Sequence, residues 1–339
     1  MAFLNHLKEH ARTFVKAMGM GTADLIPGVS GGTIAFITGI YERFINALSH
    51  IDHRAVKMLF NGQIKDIIIR VDLWFLLTIL AGILTAVLTL SRIIDYLLTH
   101  QDIILWAFFF GLILSSIGVV FSRITKWRNQ LILWLAAGTI ISYFITQSQI
   151  IQTPHTPLYI FGAGFFSISA MILPGISGSY ILVVLDKYNF FIEVMSSIGQ
   201  SLQSAIGAFF SFQWAQIYHI ILKSRLDDLL IFYGGTITGI ITFSKILNWL
   251  ITTYHDRTVS LLTGFMAGSL FKIWPWKVTI ETFTDRHGEE RPLVEENVLP
   301  AFDNPETWLA FLFMAIGFGL VILIHKLGRQ KPTHKQWLD

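Results

Sequence analysis

Two short stretches decide the fold: IPGVSGG at residues 26–32 and LPGISGS at residues 173–179. Each lies in the middle of an apolar run, about 19–40 for the first and about 160–185 for the second. Proline removes a helical hydrogen bond and clashes with the preceding turn, and glycine lowers helix stability further. A helix has to break at both places. Lipid tolerates free backbone groups only where protein or a water-filled cavity covers them. The two stretches therefore read as helix–loop–helix hairpins that enter a membrane and return on the same side.

The surrounding sequence sets the solvent. The chain has 339 residues, of which 53% are hydrophobic and only 14% charged. That composition cannot supply the polar surface of a soluble domain of this length. Six further apolar runs, near 73–98, 103–121, 131–149, 229–252, 259–274 and 308–325, approach or exceed the roughly 20 residues that cross a bilayer core. With six single crossings, two hairpins that do not cross and a cytoplasmic N-terminus, 17 of the 25 Lys and Arg residues lie inside and 8 outside. This is the direction of the positive-inside bias, and both termini are then cytoplasmic. The formal net charge of +3 gives no reason to expect a nucleic-acid partner. With no cysteine, disulfide and thiolate chemistry are excluded.

The chain also repeats itself. Pro27, Gly28, Ser30, Gly31 and Tyr41 match Pro174, Gly175, Ser177, Gly178 and Tyr188 at an offset of 147 residues. Gly82, Ser91, Arg92, Gly111 and Ser116 match Gly235, Ser244, Lys245, Gly264 and Ser269 at an offset of 153. The halves divide as 1–152 and 153–339, each with one hairpin and three crossings. Three is odd, so the second half sits upside down relative to the first. The expected fold is an all-α polytopic membrane protein of two inverted repeats, an architecture common among secondary transporters.

Such folds bind cargo near the midplane, at broken helices. Gly28, Gly31, Gly32, Gly175 and Gly178 would let a ligand approach bare backbone, and Ser30, Thr33, Ser177 and Ser179 add hydroxyls. Helix N-termini aimed at the tips favour negative charge, so paired tips would bracket a phosphate. Arg43 and Lys187, which follow the two hairpins, are candidates for the positive charge. Asp24 and Glu42 are candidates to carry a coupling proton or cation, since an ionisable group at membrane depth is a functional candidate by default. The second half has Met171 where Asp24 stands. Neither a P-loop nor a nucleophile elbow is present, no metal-binding pattern is convincing, and no cofactor is expected. The segments 44–69 and 190–222 have the rhythm of helices lying along a membrane surface.

The stretch GMGTADLIPGVSGGTIAFITGIYERFINAL, residues 19–48, resembles the signature of the PopT family, and SAMILPGISGSYILVVLDKYNFFIEVM, residues 169–195, resembles its second motif. The resemblance covers nearly the whole chain in repeat order and segment layout. It implies a protein of the bacterial cytoplasmic membrane that returns undecaprenyl phosphate from the outer to the inner leaflet. Cell-wall and surface-polysaccharide synthesis would then reuse the carrier. The partners implied are that polyprenyl phosphate and the membrane lipids. The second motif is looser, with Ser179 and Tyr180 where Gly32 and Thr33 stand. The rival readings are an ion-coupled transporter of a small soluble anion and a membrane enzyme acting on a lipid phosphate. The enzyme would need a nucleophile with a base in reach, and no histidine lies near either tip in the sequence.

Overall fold

The structure, a computed structural model, describes residues 2–26, 28–148, 150–210, 225–284 and 290–328. The first half begins with α1 (Ala2–Asp24), α2 (Gly31–Ile37) and α3 (Tyr41–Ser49), then two short helices, α4 (His53–Phe60) and α5 (Ile64–Arg70). It continues with α6 (Leu73–His100), α7 (Asp102–Phe121) and α8 (Gln130–Thr146). The second half has α9 (Pro157–Ile172), α10 (Gly178–Val184), α11 (Tyr188–Phe210), α12 (Leu226–Thr253) and α13 (His255–Ser269). A strand pair, β1 (Lys277–Thr284) and β2 (Glu290–Asn297), precedes α14 (Pro305–Gly328).

Four helices are long and apolar enough to cross a membrane: Leu73–His100, Asp102–Phe121, Leu226–Thr253 and the stretch Pro305–Lys326 of α14. Their outward faces carry Leu84, Leu88, Leu230, Ile237, Leu309 and Leu312, all exposed in the isolated chain, as a lipid-facing surface requires. The chain is thus a mostly helical, multi-pass membrane protein.

Three details differ from the sequence reading. The runs at 131–149 and 259–274 form helices of 17 and 15 residues. At 1.5 Å per residue they span about 26 and 23 Å, short of a hydrocarbon core of about 30 Å. They pack on each other, and α13 is buried along most of its length, so lipid thickness does not set the extent of α13. The first arm of hairpin one is much longer than residues 19–40 suggest. It begins at Ala2, because Ala17, Met20 and Gly21 seat α1 on α6 while Glu9 and Lys16 find partners at its outer end. Finally, the fold is not purely helical. The acidic segment after α13 is an antiparallel strand pair, with Lys277 opposite Asn297. The β-branched residues of KVTIETFT favour a strand there. Of the proposed surface segments, 44–69 forms parts of α3 to α5. In 190–222, α11 ends at Phe210 and residues 211–222 lie outside the described residues.

Helix positions recur between the halves. Adding 147 to the bounds of α2 gives those of α10, and adding 153 to those of α6 gives those of α12. Pairing recurs too: α1 packs on α6 as α9 packs on α12, and α7 packs on α14 as α13 packs on α8. In every pair a glycine lets backbone meet backbone. A Cβ on Gly111 would strike the Met314 carbonyl, one on Gly138 that of Leu261, one on Gly164 that of Phe232, and one on Gly82 that of Phe14. Small residues at helix contacts are how membrane helices approach closely.

Side-chain bonds sort the connections onto two faces. On one, Asp256, in the first turn of α13, accepts from the Thr125 and Lys126 amides at 2.8 and 3.1 Å, tying the α7–α8 loop to the α12–α13 turn. Burial alone would raise the Asp256 pKa, but these hydrogen bonds outweigh it and leave the carboxyl at about 2. His255 is raised above its ordinary value, chiefly by the Glu42 carboxylate 3.8 Å from its Nε2. The depressed Asp256 stabilises the fold above the unfolded carboxyl pKa of about 3.9 and loses that contribution as pH falls toward 2. The raised His255 contributes fully below about 6.5 and loses its contribution as pH climbs through its folded pKa. Melting temperature should therefore fall on both sides of about pH 4–6.5. Asp256→Asn should flatten the acid limb and cost about 1 kcal/mol at neutral pH. Thermal unfolding in detergent across pH measures both.

Candidate functional site

The two glycine-rich tips touch. Ser30 caps α2: its Oγ accepts from the Gly32 amide at 3.2 Å and donates to the Leu173 carbonyl of the other tip at 3.0 Å. Thr33 Oγ1 accepts from the Gly175 amide at 3.0 Å. Tyr41 Oη donates to the Ile172 carbonyl at 3.0 Å. Ser30, Thr33 and Tyr41 are all buried. The free carbonyls that proline leaves at the end of α9 are thus satisfied by hydroxyls from the first half, as a buried helix break requires.

Both tips turn through glycines with positive φ, Gly28 at 83° and Gly175 at 86°. They sit side by side on α13 and the residues just after it. A Cβ on Gly175 would lie 2.7 Å from the Met266 amide nitrogen, and one on Gly28 would lie 3.0 Å from Lys272 Cγ.

The two tips differ in their polar groups. In the first, Asp24 accepts from the Gly31 amide at 2.7 Å and Ser30 accepts from that of Gly32, so the opening amides of α2 already have a carboxylate and a hydroxyl. Gly31, Gly32 and Thr33 are buried. In the second, Met171 stands in the place of Asp24 and is partly exposed. Ser177 and Ser179 share a hydrogen bond of 2.9 Å, and Ser179 is exposed. Ser167 donates to the Gly178 carbonyl at 2.8 Å. The second tip therefore presents the Ser179 hydroxyl outward, with Ser177 buried and bonded behind it, while the hydroxyls of the first are used to hold the tips together.

Of the candidate residues, Gly28, Ser30, Gly31, Gly32, Thr33, Gly175, Ser177, Gly178 and Ser179 belong to this junction, and so does Asp24. Arg43, Lys187 and Glu42 do not. The Arg43 guanidinium bonds Asp72 at 2.6 and 3.2 Å and Glu9 at 2.5 Å, and covers the Phe75 ring. Glu9 is fifteen residues before Asp24 on α1, about 22 Å along the helix. Lys187 Nζ donates to the Thr153 carbonyl and hydroxyl, each at 2.7 Å, and Thr153 in turn donates to the Leu185 carbonyl. Each cation closes the open end of its own hairpin. Glu42 lies 3.8 Å from His255 on the face that holds Asp256.

Two residues at the junction escaped the sequence reading. Tyr41 carried a signal, its match with Tyr188, but its hydroxyl role is not shared, since Tyr188 is partly exposed. Lys272 had none, because position 119, its equivalent at the 153-residue offset, is valine.

A chain of long apolar helices with two broken hairpins hydrogen-bonded tip to tip is a polytopic membrane protein with a built polar junction in its interior. Comparison with known proteins assigns it further. Residues 20–291 match a family described as VCA0040-like, undecaprenyl phosphate translocase-like. A polyprenyl-phosphate transporter of Vibrio cholerae is 37% identical over 324 residues, covering 94% of this chain and 97% of that protein. A polyprenyl-phosphate transporter of Staphylococcus aureus is 33% identical over 273 residues, covering 77% of this chain and 85% of that protein. No solved structure matches the chain. The chain belongs to the undecaprenyl phosphate translocase-like family.

Proposed function

We propose that this protein carries undecaprenyl phosphate across the bacterial cytoplasmic membrane, from the outer leaflet to the inner, so that the carrier lipid is reused in envelope synthesis. Relatives named for polyprenyl-phosphate transport support the cargo. The observation that carries the mechanism is the direct bonding of the two tips, Ser30 to Leu173 and Gly175 to Thr33.

In this reading the halves 1–152 and 153–339 are inverted repeats and their hairpins are re-entrant. The closed hairpin ends support it: Glu9 meets Arg43 at one, and Thr153 meets Leu185 and Lys187 at the other. The termini and the Asp256 junction then face the cytoplasm, and Lys187 faces outward. The phosphate meets the exposed hydroxyl of Ser179, backed by buried Ser177, beside Gly178, and the prenyl chain stays in lipid. Asp24, half-buried at membrane depth on the Gly31 amide, carries the coupling proton or cation. The cycle consists of breaking and remaking the tip-to-tip bonds, which changes the side from which the junction is reached.

Reconstitution into liposomes with a fluorescent short-chain polyprenyl phosphate in one leaflet tests this. The protein should speed translocation of the phosphate and not of the matching alcohol. The Ser177→Ala/Ser179→Ala variant should slow it about tenfold, the effect of losing hydrogen bonds to a charged group. Equal rates for phosphate and alcohol would remove the cargo assignment.

A further inference from the structure

The geometry points to Lys272 as the cation that receives an anionic head group, a phosphate monoester, where the two tips meet, with the β-hairpin residue Glu295 competing for the same ammonium. The inference rests on the reading that the cargo is a phosphate-bearing lipid, and adds a residue to its site.

Lys272 lies three residues beyond Ser269, the end of α13, against the first tip and over a ring of the helix that follows the second. Its Cγ is the nearest atom to the space a Gly28 Cβ would fill, at 3.0 Å, and its Nζ stands 5.2 Å from the centre of the Tyr180 ring on α10. Tyr180 adjoins Ser179, the exposed hydroxyl of the second tip. Among the described residues, Lys272 Nζ donates no hydrogen bond. The carboxylate nearest to it, Glu295 Oε2, is 3.8 Å away, beyond hydrogen-bond reach. That same oxygen is better held by Lys277, at 3.2 Å. Lys277 is almost fully buried against the Trp106 ring, with Asp102 as a second, more distant anion.

Two ammonium groups therefore share Glu295, and the one beside the tips has the poorer part of it. An ammonium with open donors over the ring of Tyr180, the residue that follows exposed Ser179, suits a phosphate oxygen, and such charge-assisted bonds are the strong ones. An arriving phosphate that takes over Lys272 leaves Glu295 to Lys277. In the orientation proposed above, this is the outer face, where the lipid is collected.

Binding of farnesyl phosphate and of farnesol to the full-length protein in lipid nanodiscs tests the assignment. Wild type should prefer the phosphate. Lys272→Gln should weaken phosphate binding about tenfold, and Lys272→Arg should stay within about threefold of wild type, since charge and donors are kept. Glu295→Gln should tighten phosphate binding about threefold by removing the competitor, a gain that misfolding cannot produce. None of these changes should alter farnesol binding. If wild type shows no preference for the phosphate, the cargo reading fails and this proposal with it. If the preference exists but survives Lys272→Gln, or if Glu295→Gln leaves it unchanged, the cargo reading stands and Lys272 is not the receiving cation.

Discussion

Gly175→Ala is expected to leave almost no folded protein. Gly175 has φ of 86°, a region that costs an alanine about 1–2 kcal/mol. Its Cβ would also lie 2.7 Å from the Met266 nitrogen and 2.7 Å from the Phe265 carbonyl oxygen, both backbone atoms of α13 that cannot move aside. The second tip would be lifted from α13 and its bonds to Thr33 and Ser30 stretched. The combined cost should exceed about 3 kcal/mol, a large share of the stability of an ordinary domain. Gly28→Ala supplies the comparison. Its φ of 83° carries the same backbone cost, but its Cβ meets side chains rather than backbone, the flexible Lys272 at 3.0 Å and Ile273 at an ordinary 3.7 Å. Melting in detergent should therefore show Gly28→Ala destabilised by about 1–2 kcal/mol and still folded. Equal stability of the two variants would mean that the second tip does not rest on α13.

Thr33→Val should remove transport while preserving shape. Valine replaces the hydroxyl with a methyl group of similar size. The Gly175 amide, buried and bonded to Thr33 Oγ1, would then have no acceptor. An orphaned buried amide costs about 1–3 kcal/mol, and here the cost falls on the contact that joins the halves. Transport in liposomes should drop by about tenfold or more. Thr33→Ser keeps the oxygen and should restore most of it. Ser30→Ala tests the reciprocal bond. It strips the cap of a seven-residue helix and leaves the Leu173 carbonyl unpaired, so it should lose stability as well as rate. If Thr33→Val transports as well as Thr33→Ser, the hydroxyl bond between tips has no part in the cycle.

Much of the fold was legible because its signals are local. A proline beside glycines has to break a helix, and long apolar runs have to find lipid. The offset of 147 residues between IPGVSGG and LPGISGS reappears in the bounds of α2 and α10. What was not legible depends on contacts across the chain. Arg43 and Lys187 look from sequence like head-group ligands, because a cation after a hairpin has no visible partner. The partners are Glu9, Asp72 and Thr153, which lie 34, 29 and 34 residues away in sequence. Asp24 reads as a lone carboxylate at membrane depth, and only the turn of the chain shows it accepting from Gly31. Lys272 sits near the end of the run at 259–274, where a glycine-rich helix covered by protein leaves little hydropathy signal. The strand pair gives little signal in sequence, because charged residues stand among the β-branched ones of KVTIETFT.

The absence of cysteine from the chain makes the central contact directly measurable. With Ser30→Cys and Leu173→Cys introduced together, a short thiol-reactive cross-linker applied to native membranes should join the two positions within one chain, since the Ser30 hydroxyl lies 3.0 Å from the Leu173 carbonyl. The pair Glu9→Cys and Leu173→Cys should not react, because residue 9 lies at the far end of α1. Linkage at 30 and 173 alone is the result expected of two hairpin tips that meet inside the bilayer. Failure of that pair to link, in protein that folds and inserts normally, would contradict it.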